Sequence, residues 1–149
     1  MKTTDDGTTR RAHSGAVWED KVGYCRAVRR GAHIWVTGTV SVDAEGQALH
    51  IDDPQAQARR CFDIIEEALK ALGADQSDVM RTRMFVTDIS HWEAFGRAHG
   101  ERFRDHPPAT TMVEVSRFIA PEFLIEIEAD ACVIETGILE TGTIAEDTQ

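Results

Sequence analysis

Apolar and polar positions alternate along this chain in two rhythms. Over residues 124–131 the alternation is strict, with Ile125, Ile127, Ala129 and Ala131 set against Glu126, Glu128 and Asp130. Side chains on a strand face opposite ways in turn, so this segment is predicted to be a β-strand with one apolar and one acidic face. A second strand is predicted over 107–115. Between Pro54 and Gly73 the period lengthens. Ala58, Cys61, Ile65, Ala68, Leu69 and Leu72 recur at three- and four-residue steps and make one stripe of a helix. Asp53 supplies its N-cap, Pro54 its first residue and Gly73 its stop. A second helix is predicted from a capping box over Ser90 to Glu93 up to Pro107, with a stripe of Trp92, Phe95, His99 and Phe103. Further strands are predicted over 24–29, 33–39 and 79–87.

The order is therefore β-β-α-β-α-β-β. It implies an α+β fold: a mixed sheet with two helices packed on one face. The helices take the side of Ile125 and Ile127. Glu126, Glu128 and Asp130 are left on a face with no helix to cover it. Charges are costly to bury unpaired, so that face calls for water, a ligand or further copies of the chain. Residues 19–135 are read as one domain. Residues 1–18, polar and rich in Thr, Asp and Gly, are expected to be disordered, and 136–149 to form a flexible tail.

Composition narrows the function. Acids outnumber bases 26 to 16, a net charge of −10. Nucleic-acid binding rests on cationic contacts, so no nucleic-acid partner is expected. No apolar run is long enough to span a membrane, and the polar start has no secretory core, which makes the cytoplasm the expected location. Cys25, Cys61 and Cys132 are too widely spaced to suggest a disulfide framework or a zinc site. The six histidines show no paired ligand spacing, and phosphate-binding and nucleophile-elbow motifs are lacking. Neither metal nor cofactor is expected.

Several short motifs fall in a telling order: Val36-Thr37-Gly38, the Asp88 turn, Pro108-Ala109 running into Val113-Glu114-Val115, and Glu126-Ile127-Glu128-Ala129. Together they resemble the RidA (YjgF/YER057c/UK114) family. The resemblance implies a chorismate mutase-like fold, a homotrimer around a central barrel, and inter-subunit clefts that bind a small metabolite and hydrolyse imines or enamines. It makes Glu126 the catalytic carboxylate that directs water and Tyr24 a catalytic pocket residue whose hydroxyl orients the substrate or water. Gly38 and Thr39 fall on the turn that closes the pocket. Thr110 stands where the family carries an arginine for the substrate carboxylate, Met112 where it carries a cysteine, and Gly96 where it carries an asparagine. Charge-assisted hydrogen bonds contribute about 1.5–3 kcal/mol each, which one neutral hydroxyl does not match. The expectation is a RidA-like cleft that has lost its cation and no longer requires a carboxylate on its ligand. Structural roles stand beside these readings: Glu126 as an interface glutamate, Tyr24 as a half-buried strand tyrosine. Whether Arg26 or Glu128 reaches the cleft is open. The alternative to a hydrolase is a non-catalytic trimeric metabolite-binding protein, or a chaperone-like one.

Overall fold

The computed structural model describes residues 1–134. The tail expected over 136–149 lies outside the described residues. Among the described residues seven strands form one sheet in the order β1-β2-β3-β4-β7-β5-β6. The strands are β1 (Lys2–Asp5), β2 (Thr9–His13), β3 (Ala27–Arg30), β4 (His33–Thr39), β5 (Val79–Val86), β6 (Ala109–Glu114) and β7 (Ile125–Cys132). All neighbours run antiparallel except β5 and β6, which are parallel and joined by a helical crossover. The helices are α1 (Val17–Val22), α2 (Pro54–Ala71) and α3 (Trp92–Phe103).

The long helix α2 starts as its sequence predicts. Asp53 accepts from Ala56 N at 3.0 Å, and Pro54 opens the first turn. Gly73, at φ +76°, lets the chain turn back, with its N–H on Lys70 O. The carbonyls left free at that end are met by arginines of the sheet. Arg29 Nη1 donates to Leu72 O at 2.8 Å and Arg10 Nη2 to Ala71 O at 3.4 Å. Cations there also oppose the negative end of the helix dipole. Ala58, Cys61, Ile65, Ala68, Leu69 and Leu72 are buried against Ile125, Ile127 and Ala129 of β7, Val36 of β4 and Val79 of β5. The mixed sheet with α2 and α3 on one face is the predicted architecture.

Four details differ from the sequence reading. Residues 1–18, expected to be disordered, carry the β1–β2 hairpin and the start of α1. The strand expected over 24–29 begins only at Ala27, because Tyr24 follows the left-handed Gly23 (φ +82°) that ends α1. The capping box at Ser90 does not form. Asp88 accepts from Ser90 N at 2.8 Å and caps a single 3-10 turn, Ile89–His91, ahead of α3. Trp92, expected in the apolar stripe, is 56% exposed, while Phe95 and Phe103 are buried.

Candidate active site

The uncovered face of the sheet gathers its chemistry where β3, β4 and β7 lie side by side. Strand β4 carries one extra residue there: Val36 pairs with Ala129 but Thr39 pairs with Ile127. A bulge of this kind re-aims the side chains around it. Thr39, expected in the pocket, is turned inward by it. Thr39 is fully buried beside Ile127, and its hydroxyl donates to Thr37 O at 2.8 Å. Gly38 remains on the open face, directly under Glu126. A Cβ at Gly38 would overlap Oε1 of Glu126. Only glycine leaves the carboxylate in this position.

Arg26 approaches from the other side of Gly38. Its backbone is anchored by Arg26 N–H to Ala12 O at 2.9 Å and Thr37 N–H to Arg26 O at 3.1 Å. Its Nη2 donates to Gly38 O at 2.7 Å, and its Nε is buried without a hydrogen-bond partner among the described residues. Burial lowers its pKa, opposed by the charges of Tyr24, Glu19, Glu126 and Cys25. The same burial raises the pKa of Glu126. The neighbouring Glu128 raises it further, and Arg26 works against both. The sequence left open whether Arg26 belongs with Glu126, and the two groups lie within electrostatic reach of one another. A guanidinium sits on the Glu126 side.

Tyr24 is held near this cluster by its own backbone. Its N–H donates to Glu19 O at 3.1 Å, and the Glu19 side chain, 5% exposed, accepts from Ser14 N, Ser14 Oγ and Gly15 N. Glu128 shares the face but is engaged elsewhere. Arg83 of β5 reaches Glu128 Oε2 at 3.4 Å and Asp130 Oδ2 at 3.1 Å.

The remaining candidates form a separate group. Thr110 and Met112 of β6 point to the helix face, and β5 lies between β6 and β7. Thr110 Oγ1 is 2.8 Å from Thr82 Oγ1, which is 2.9 Å from His99 Nε2 on α3. Gly96 lies one turn earlier on α3, with open space where a Cβ would stand. Within one chain, Thr110, Met112 and Gly96 thus do not meet Glu126, Tyr24 and Arg26. Sequence reasoning left Arg26 open, two positions after Tyr24, and gave Thr82 and His99 no part in a site. Thr82 and His99 looked like an ordinary strand residue and a helix-stripe residue.

A sheet of this order with helices on one face, and an acidic strand lying over a glycine bulge, defines the class, and the comparisons agree. The family model described as Endoribonuclease L-PSP matches residues 18–133. A RutC family protein of Sulfurisphaera tokodaii is 35% identical over 70% of this chain and 82% of its own length. The crystal structure of Rv2704 from Mycobacterium tuberculosis, a member of the YjgF/YER057c/UK114 family, matches at 44% identity with a TM-score of 0.78, covering 85% of this chain and 100% of that one. E. coli TdcF with bound serine matches at 25% identity and a TM-score of 0.67, over 73% of this chain and 87% of its own. The chain belongs to the YjgF/YER057c/UK114 family, the RidA-like fold named above.

Proposed function

We propose that this protein hydrolyses small imines or enamines in clefts between the subunits of a homotrimer. Glu126 is the base that directs water, and Tyr24 and Arg26 order the Glu126 side of the cleft. Thr110, Met112 and Gly96 of a neighbouring copy line the other side. The observation that carries this reading is Glu126 itself: a half-buried carboxylate, its pKa raised, fixed over Gly38 with a guanidinium on the far side of that glycine. Hydrolysis of a C=N bond needs a group that takes a proton from water and one that returns it to nitrogen. A carboxyl group whose pKa lies above the ordinary range can serve both steps. Thr110 brings no charge, so its side of the cleft does not call for a substrate carboxylate. The family description names an endoribonuclease, but a net charge of −10 disfavours a polyanionic substrate.

The test is ammonia release from paired neutral and carboxylate-bearing imines by the wild-type protein and by Glu126→Gln. The reading expects turnover of the neutral members and a loss of about a hundredfold in the variant, the usual scale for a general base. No turnover of any member would defeat it. A second reading, metabolite binding without turnover, is favoured by the relative described with bound serine. It expects the ligand to be recovered unchanged.

A further inference from the structure

We propose that His99 is a positioning residue which, through Thr82, sets whether Thr110 donates or accepts a hydrogen bond to a neutral carbonyl, imine or hydroxyl group of the ligand. The inference rests on the functional reading above for its ligand, but not for its geometry.

Three polar groups run in line from the helix layer to the surface. His99 Nε2 is 2.9 Å from Thr82 Oγ1, and Thr82 Oγ1 is 2.8 Å from Thr110 Oγ1. Thr82 is fully buried, whereas Thr110 is exposed on the edge strand. A hydroxyl has one proton to give. With two partners in line, Thr82 donates to one and accepts from the other, so its two bonds are coupled. In the first state His99 Nε2–H donates to Thr82, Thr82 donates to Thr110, and the Thr110 proton is free for a ligand acceptor. In the second, Thr110 donates to Thr82, Thr82 donates to an unprotonated Nε2, and the free lone pairs of Thr110 accept from a ligand. A protonated imidazole permits only the first.

His99 is placed so that little else decides its proton. It meets Phe62 of α2 edge-on and Phe103 of α3 at a ring separation of 4.7 Å. Burial alone lowers its pKa. Several of the charged groups on the elements around it are occupied with one another. Arg102 of α3 pairs with Asp63 and Glu66 of α2, Glu114 of β6 accepts from Ile89 N, and Arg83 of β5 pairs across the opposite face of the sheet. Burial thus favours the neutral imidazole, in which either ring nitrogen can carry the proton. The subsite can take a donor or an acceptor, and acid commits it to donation.

Long-range proton–nitrogen NMR of His99 in the full-length protein tests this. Thr110→Val, on the exposed edge, should move His99 toward the form with Nε2 unprotonated, because Thr82 then has only the imidazole to donate to. Thr110→Ser should leave it as in the wild type. Butanone, a neutral acceptor, should move the wild-type ring toward Nε2–H and leave Thr110→Val unmoved. A His99 spectrum indifferent to Thr110→Val, or the same response to butanone in both proteins, overturns the proposal. On a neutral imine, His99→Gln keeps a polar group at that place but cannot be protonated. It should raise KM, abolish the pH dependence of KM and largely spare kcat. Imine turnover that is absent while the spectral changes persist counts against the hydrolase reading and leaves the relay standing.

Discussion

Glu126 pays for its position in charge. Burial and the nearby Glu128 both disfavour its ionised form, and Arg26 compensates only in part. Its pKa in the folded protein thus lies above the ordinary value of 4.5. Stability from this group is present below 4.5 and is lost as the pH rises through the folded value, because the unfolded chain gives up its proton more readily. Glu126→Gln removes that liability. The variant is expected to melt at a higher temperature than the wild type at pH 8 and to converge with it below pH 4.5. The gain should be at most about 1 kcal/mol, given the solvent screening of a half-exposed group. A variant less stable at pH 8 would show that the carboxylate is a structural asset. At this scale the sequence was legible where alternation decides. Glu126 stands out because its neighbours Ile125 and Ile127 are both buried. Arg26 was not legible as a buried cation, since its setting depends on a bond to Gly38, twelve residues away, and on pairing with β2.

Between elements, one buried side chain ties α2 to the approach to β7. Gln57 is fully buried; its Nε2 donates to Glu122 O at 2.7 Å and to His50 O at 3.3 Å, and its Oε1 accepts from Leu124 N at 2.9 Å. Leu124 directly precedes the strand that carries Glu126. Gln57→Leu leaves these backbone groups without their partner, and each such group costs about 1–3 kcal/mol. Urea unfolding is expected to show a loss of at least about 2 kcal/mol. An unchanged midpoint would mean that other groups satisfy them. The long helix and the strands β4, β5 and β7 could be read from their periods, because each buries one face and leaves the other more open. The β1–β2 hairpin could not: β1 is exposed throughout, and Thr9-Arg10-Arg11-Ala12-His13 offers no apolar alternation. Its order comes from pairing with β3 and from Arg10 on the end of α2, both long-range contacts. The start of α3 was misread for a related reason. Asp88 and Ser90 are both good caps, and the turn from β5 uses the first.

For the molecule as a whole, α2 and α3 cover one side of the sheet, and the other presents Trp35, Arg83, Phe85, Glu126, Glu128 and Asp130. Trp35 is 46% exposed there. A face that mixes aromatic, acidic and cationic groups suits closed self-association better than open solvent. The separation of Glu126 from Thr110 within one chain adds a second reason, because only another copy can bring β6 to the β3–β4–β7 face. Sedimentation equilibrium is therefore expected to give three chains per particle, and Trp35→Glu to shift the mass toward one. A wild-type monomer would leave the cleft without its second wall. The layering of the fold was open to sequence reasoning because it follows from two periods. The placement of the candidate residues on opposite faces was not, since it depends on which strand lies between β6 and β7. The most direct test of the account is the pH profile of kcat/KM for a neutral imine. The account predicts a rate that climbs with pH along a limb centred above 4.5, as Glu126 loses its proton to become the base, and a limb that disappears in Glu126→Gln. A limb that survives in the variant, or a profile with no turnover at any pH, would contradict it.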